Sequence, residues 1–136
     1  MKSISKKVII HINKGIIEEW NEKNPTKKES YTVSDERLDE VLKLVSDQDD
    51  FITQAGYFMA ALSWAQPFAG ANKRTGVVCA DTLLRINGYM LSTEKDEDRE
   101  YIRSLLFEVQ ESRIEMDEFT LAKIILYVVK RLKKHG

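Results

Sequence analysis

Residues 66–76 combine a small-residue turn with two cations at an expected helix start, and their sequence is QPFAGANKRTG. Gly70 and Ala71 let the backbone approach an anion closely, and the first N–H groups of a helix have no intrahelical acceptors. Lys73 and Arg74 add positive charge beside those N–H groups. Because helix N-termini bind anions through such groups, the segment predicts a phosphate-binding turn.

The segment resembles the signature of the Fic/Doc (Fido) family, which is His-Pro-Phe-x-(Asp/Glu)-(Gly/Ala)-Asn-(Gly/Lys)-Arg. The matching positions include Phe68, Ala71, Asn72, Lys73 and Arg74. Weaker resemblance extends over about residues 4–91. Members of this family transfer AMP or phosphate from a nucleotide to a protein hydroxyl. The resemblance therefore implies ATP and magnesium as cofactors, and a protein target or an antitoxin-like protein as the partner.

Two positions depart from the family pattern. Gln66 stands where the family has the catalytic His that takes the proton from the target hydroxyl, and an amide is no base near neutral pH. Losing a positioned general base typically lowers a rate by about 10²–10⁴-fold. Gly70 stands where the family has its acidic magnesium ligand, so we assign no metal ligand there. Glycine at position 70 would also permit a positive φ.

Two further positions distinguish branches of the family. Lys73 stands where adenylylating members usually carry Gly, and Val77 stands where they carry a second Arg that grips the nucleotide phosphates. Both choices are typical of the Doc-like (death-on-curing) branch. That branch includes toxins of toxin–antitoxin pairs that phosphorylate elongation factor Tu. The resemblance thus favours phosphate transfer over AMP transfer as the ancestral activity.

Other residues near the turn have structural interpretations. Phe68 is expected to fill the core beneath the turn, and Asn72 is expected to cap the helix that it opens or to fix the turn, with capping favoured. His11 is expected to be a packed or partly exposed helix residue, and Cys79, the single cysteine, a buried thiol without a role. Residues 31–33 resemble the family's flap, which pairs with a target peptide by strand addition, or form an ordinary loop.

Apolar residues recur at helical spacing almost throughout the chain, which predicts an all-α, Fido-type bundle of about six helices with a short β flap. Helices are expected over about 3–23, from Ser34 to an acidic break at 47–50, from 51 to Gln66, and over 72–87, 94–111 and 117–134. Residues 89–91 are expected to be extended. The inward face of the first helix is expected to carry Val8, Ile9, Ile12, Ile16 and Trp20.

The composition is that of a folded, soluble protein, with 43% hydrophobic and 32% charged residues in 136. Lys and Arg total 21 against 22 Asp and Glu, so no net positive field attracts nucleic acid or an anionic membrane. No apolar run approaches the roughly 18 residues that a membrane span requires, and the start of the chain is too polar for a signal sequence. We expect a single cytoplasmic domain over 1–136.

Three classes of function follow. The first is a catalytically impaired Fic/Doc pseudoenzyme that retains nucleotide or phosphate binding at residues 70–74, or its active counterpart, a Doc-like toxin, phosphotransferase or adenylyltransferase with a substitute base. The second is a regulatory module that binds a protein partner. The third is a helix-turn-helix DNA binder built from residues 50–66 and 72–87, which the near-neutral charge and the five-residue turn disfavour.

Overall fold

The computed structural model describes residues 1–92 and 95–135, within which the chain forms six helices. The helices are α1 (Lys6–Lys23), α2 (Asp35–Ser46), α3 (Phe51–Ala65), α4 (Asn72–Ile86), α5 (Asp96–Gln110) and α6 (Glu118–Lys130). Two short strands, β1 (Tyr89–Leu91) and β2 (Leu132–Lys134), pair antiparallel. The predicted all-α fold is confirmed. No helix in this part of the chain is long and apolar enough to cross a bilayer.

Side-chain caps determine where several of the helices begin. Ser34 caps α2, as predicted, by accepting a hydrogen bond from the N–H group three residues later. Asp50 and Asp117 cap α3 and α6 in the same way. Ser5 caps α1, so this helix begins at Lys6 and not near residue 3.

Helix α3 lies at the centre and packs against α2, α4, α5 and α6. Its residues are almost all buried from Gln54 to Ser63. Gly76 on α4 lets the two helices approach closely, because a Cβ atom there would lie only 3.1 Å from the Cα atom of Met59 and 3.3 Å from the carbonyl oxygen of Phe58. The segment 66–71 therefore joins two helices that are held tightly side by side.

The buried face of α1 differs from the prediction. Ile9, Asn13 and Ile17 are buried, whereas Val8 is 39% exposed. Asn13 is not among the residues expected on the inward face of this helix. Its burial is explained by two hydrogen bonds to the segment between α3 and α4, which are described below.

The end of the chain also differs from the prediction. Helix α6 stops at Lys130, so the expected helix over 117–134 is wrong in its last turn. Residues 132–134 instead pair with β1, which confirms that residues 89–91 are extended. The expected start of the fifth helix at residue 94 lies outside the described residues, and α5 begins at Asp96.

Candidate nucleotide-binding site

The turn between α3 and α4 contains two residues with left-handed backbone conformations. Gln66 ends α3 with φ 48° and ψ 59°, and Ala71 precedes α4 with φ 62° and ψ 24°. For residues other than glycine this conformation costs roughly 1–2 kcal/mol, and such strain is concentrated at functional positions. Gly70 has no positive φ, so the special conformation suggested for Gly70 belongs to its neighbour Ala71.

Asn72 fixes the turn from within. Its side-chain oxygen accepts a hydrogen bond from the N–H group of Phe68 at 3.0 Å, and its side-chain nitrogen donates to the carbonyl oxygen of Phe68 at 2.9 Å. Phe68 is buried, as predicted. Of the two roles expected for Asn72, fixing the turn is confirmed and capping α4 is wrong, because both polar atoms of its side chain bond Phe68. Among the described residues, no side chain caps α4.

Asn13 holds the same turn from α1. Its side-chain nitrogen donates to the carbonyl oxygen of Gly70 and to the hydroxyl of Thr75, both at 3.0 Å. Sequence reasoning missed this residue. The available signal was its spacing, since Asn13 lies four residues from both Ile9 and Ile17 and so occupies a core position of the helix.

Residues 31–33, the expected flap, lie along the outer side of the turn. The N–H group of Ser34 donates to the carbonyl oxygen of Pro67 at 2.7 Å, and the N–H group of Ala69 donates to that of Thr32 at 3.0 Å. Val33 and Phe68 form an isolated antiparallel bridge between these two bonds. One edge of the flap is therefore paired with the turn. Strand addition by a target peptide on the flap stays a prediction.

Glu29 reaches the turn from the loop before the flap. One of its carboxylate oxygens accepts a hydrogen bond from Arg74 at 2.9 Å. The other oxygen is buried and has no partner among the described residues. It lies against Gly70, where a Cβ atom would overlap it and would come within 3.0 Å of the Glu29 Cδ atom.

Lys73 and Arg74 face a cavity of about 680 Å³ between α1, α4, α5 and α6. Its lining is mostly apolar or aromatic, and consists of Trp20, Lys73, Arg74, Val77, Val78, Arg99, Ile102, Arg103, Leu106, Phe107 and Tyr127. Both cations contact aromatic rings: Lys73 Nζ lies 4.4 Å from the ring centre of Phe107, and the guanidinium carbon of Arg74 lies 5.2 Å from that of Trp20. The cavity thus places positive groups directly against its aromatic rings.

The ammonium of Lys73 is partly shielded from water. It donates a hydrogen bond to the side chain of Gln110. Burial lowers the pKa of Lys73 below its ordinary value, and the nearby guanidinium of Arg103 lowers it further, while Glu111 partly opposes the shift. A negative charge bound next to Lys73 would therefore stabilise its charged ammonium form.

The backbone adds hydrogen-bond donors at the start of the helix that carries Lys73 and Arg74. In the part of the chain that the structure describes, the N–H groups of Asn72, Lys73 and Arg74 donate to no protein acceptor. They belong to the first turn of α4, where such groups are oriented toward the helix N-terminus and favour anions. The structure thus brings three of the five residues expected to bind phosphate to one helix start.

Gln66 lies apart from these cations. It lines a separate, open pocket of about 350 Å³ with Arg37, Glu40, Trp64, Ala65 and Arg113. Neither of these two pockets is lined by His11, which is exposed on α1. Cys79 is buried as predicted, and burial raises the pKa of its thiol to about 12, so it is no nucleophile near neutral pH.

Comparison with known families agrees with this arrangement. A family model described as the Fic/DOC family matches residues 3–84, which is more than half of the 136-residue chain. The chain therefore belongs to the Fic/DOC family. A search of curated proteins finds no match.

Proposed function

We propose that this protein binds a nucleotide, with ATP as the first candidate, and that its family-type transfer activity is impaired. The observation that carries the proposal is the cavity beside Lys73 and Arg74, which joins an anion-binding helix start to an apolar, aromatic chamber. Nucleotides have the same division, with charged phosphates at one end and a flat apolar base at the other.

The phosphates would lie at the start of α4. Arg74 offers a guanidinium fork, Lys73 a partly desolvated ammonium, and the free N–H groups of the first turn add aligned dipoles. Arg103 lies on the facing helix α5, close enough to lower the pKa of Lys73, and strengthens the positive field. Buried anions need several such donors, and this end of the cavity supplies them.

The base would lie in the apolar part of the cavity. Ile102, Leu106 and Tyr127 line this part. The rings of Phe107 and Trp20 lie next to it, in contact with the cations Lys73 and Arg74. Stacking of a base on an aromatic ring is worth about 1–3 kcal/mol in nucleic-acid complexes, which indicates the scale of the stabilisation. An inorganic anion would leave this lining without a contact, so the cavity favours a nucleotide over free phosphate.

Impaired transfer follows from the position and chemistry of Gln66. An amide takes no proton from a hydroxyl near neutral pH, and Gln66 opens into a different pocket from the one that holds the cations. Glu40 is the carboxylate that lines the Gln66 pocket, but it lies on α2, outside the motif. We propose that this protein is a pseudoenzyme of the family.

Val77 and Lys73 support a Doc-like ancestry. Val77 lines the cavity and stands at the motif position where adenylylating members carry a second phosphate-binding Arg. This chain would therefore bind phosphates with fewer cations from the motif. The cation at Lys73 partly compensates, because it lies one position before Arg74 at the same helix start. We therefore propose a Doc-like origin, with a protein target or antitoxin-like partner as the ancestral context.

Calorimetric titration with ATP tests the proposal. Arg74→Ala should weaken binding at least about tenfold, because hydrogen bonds to charged groups are worth about 1.5–3 kcal/mol. Arg85→Ala is the matched control: Arg85 lies on the same helix, is similarly exposed and ion-paired, and lines no part of this cavity. Absence of ATP binding by the unmodified protein, or equal losses in both variants, would contradict nucleotide binding here.

Labelled ATP tests the second half of the proposal. Incubation with candidate protein substrates should give no more transferred label for the unmodified protein than for Arg74→Ala. Robust transfer that Arg74→Ala abolishes would show that a residue other than Gln66 acts as the base.

A further inference from the structure

Glu29 occupies the space beside Gly70 that a longer residue would fill. A Cβ atom on Gly70 would overlap a carboxylate oxygen of Glu29 and would lie 3.5 Å from its Cβ atom. The carboxylate of Glu29 therefore stands where a side chain at position 70 would begin. Gly70 is the position that carries an acidic residue in the family pattern, and here the acidic group arrives from another segment of the chain.

The carboxylate of Glu29 has one oxygen in use and one without a partner. The first oxygen is paired with Arg74, which lines the cavity, whereas Glu29 is not among the lining residues. The second is buried without a hydrogen-bond partner among residues 1–92 and 95–135. Buried carboxylate oxygens are normally satisfied, so this oxygen is open to a cation or a water molecule that the protein atoms do not supply.

The backbone of Glu29 is held firmly in this position. Its N–H group donates to the side-chain oxygen of Asn21 at 2.8 Å, and the side-chain nitrogen of Asn21 donates to the carbonyl oxygen of Glu29 at 3.2 Å. These two bonds anchor Glu29 to α1, which also holds the turn through Asn13. The same helix thus positions both the turn and the carboxylate.

The donor set fits magnesium that is shared with a nucleotide. Mg²⁺ prefers oxygen ligands and is commonly held by one or two carboxylates together with substrate phosphates and water. In the described part of the chain, no group of three or more His, Cys, Asp or Glu residues could bind a metal alone. A single carboxylate beside Arg74 matches a metal that binds only together with its nucleotide.

We propose that Glu29 replaces the missing acid at Gly70 and binds Mg²⁺ together with the phosphates of a bound nucleotide. This inference rests on the proposed function, because the metal is held jointly with the nucleotide. The ion would neutralise phosphate charge next to Arg74. The residues of the chain hold the carboxylate in place: Asn21 through the backbone of Glu29, and Arg74 through its first oxygen.

Calorimetric ATP titrations with Mg²⁺ and with EDTA test this inference by binding alone. In the unmodified protein, Mg²⁺ should raise the affinity for ATP at least about tenfold, the range in which metal ligation by protein side chains acts. Glu29→Gln should retain binding in EDTA and lose the increase, since Mg²⁺ then only weakens the attraction of the phosphates to Lys73 and Arg74. Glu22→Gln, an exposed carboxylate on α1, is the control and should behave like the unmodified protein.

A transplanted carboxylate provides the complementary test. In Glu29→Ala with Gly70→Asp, the acid returns to position 70 and the overlapping side chain is removed, so the Mg²⁺-dependent increase should return. If Glu29→Gln does not fold, Glu29→Asp serves instead. Its shorter side chain moves the carboxylate away from Gly70 and should reduce the gain in ATP affinity that Mg²⁺ gives.

The outcomes separate the two proposals. An unchanged Mg²⁺ effect in Glu29→Gln, with ATP binding intact, would overturn the role of Glu29 and leave nucleotide binding standing. No ATP binding by the unmodified protein in either condition would overturn both.

Discussion

At the scale of single residues, Gly70 and Glu29 are complementary, because the side chain of Glu29 fills the space that Gly70, without a side chain, leaves open. A Cβ atom at position 70 would meet the end of the Glu29 side chain, and the positive φ of the turn occurs at Ala71 and not at Gly70. Restoring the family residues Gln66→His and Gly70→Asp is therefore not neutral by itself. The carboxylate of Glu29 must move away first.

This complementarity predicts a measurable coupling. Gly70→Asp should destabilise the protein by up to about 1 kcal/mol, because the new side chain displaces the end of the partly exposed Glu29 side chain and brings two carboxylates together. In the Glu29→Ala background the same change should cost much less. Urea denaturation of the four proteins of this double-mutant cycle measures the coupling energy. Equal costs in the two backgrounds would show that Glu29 does not occupy this space in solution.

Lys73 provides a pH-dependent signature of anion binding. Its pKa is lowered in the free protein by burial and by Arg103, and a bound phosphate would raise it again. Above the second pKa of a terminal phosphate, about 6, the affinity for ATP should be constant until the pH approaches the pKa of free Lys73, and should fall as the pH rises through it. Calorimetry across the alkaline range, in buffers with different ionisation enthalpies, should also detect proton uptake on binding.

Lys73→Arg is the control for this effect, because a guanidinium stays charged over the whole range. Its ATP affinity should vary less with pH than that of the unmodified protein. Identical pH profiles for the two proteins would mean that Lys73 does not approach the phosphates.

At the scale of elements, the turn is held by its neighbours more than by its own sequence. Helix α4 is packed directly on the backbone of α3 through Gly76, and α1 holds the turn through Asn13. The flap adds a third support through its bonds to Pro67 and Ala69. Positions that never contact a ligand therefore determine whether the anion-binding groups converge.

Two glycines in helices allow a matched test of this packing. Gly76→Ala should destabilise the protein by about 1–3 kcal/mol, because its Cβ atom would press on the backbone of Met59 and Phe58. Gly15→Ala on α1 has no atom within 4 Å of the new Cβ atom and should stabilise the protein by about 0.5–1 kcal/mol. Urea denaturation measures both changes. Similar effects for the two substitutions would contradict the close approach of α3 and α4.

The elements also show what the sequence can predict. Local signals were sufficient for the start of α2 at Ser34 and the end of α4 near Gly88, which has φ 88°. They failed for Asn13 and Glu29, whose partners lie far away in the chain. Periodicity and capping report preferences over a few residues, so a polar residue that is buried by a distant partner looks like an exposed one. The family signature identified the turn, but it could not show which segment supplies a carboxylate to it.

At the scale of the whole molecule, the nearly balanced charge conceals a local concentration of cations. The formal net charge is −1, yet Lys73 and Arg74 on α4 meet Arg103 across one cavity. A cavity with low-dielectric walls focuses the field of such a group, so specific attraction of an anion needs no global positive charge. Cytoplasmic location, the single-domain organisation and the protein partner stay predictions.

The two tryptophans of the chain lie in different pockets. Residues of the family motif line both pockets, Gln66 one of them and Lys73 and Arg74 the other. Trp20 lines the cavity with Lys73 and Arg74, and its indole N–H group donates to the carbonyl oxygen of Lys27 at 3.0 Å. Trp64 lines the separate pocket of Gln66. Each indole N–H group gives one signal in a nitrogen–proton NMR spectrum, so the protein contains a reporter for each pocket.

Titration of the labelled protein with ATP and Mg²⁺, followed by these signals, tests nucleotide binding at the motif turn most directly. The backbone signals of residues 72–74 and the Trp20 indole signal, assigned with Trp20→Phe, should shift and saturate, while the Trp64 indole signal keeps its position. Arg74→Ala should shift only at much higher ATP concentrations. Unchanged signals at 72–74, or a response confined to Trp64, would contradict the proposed nucleotide site.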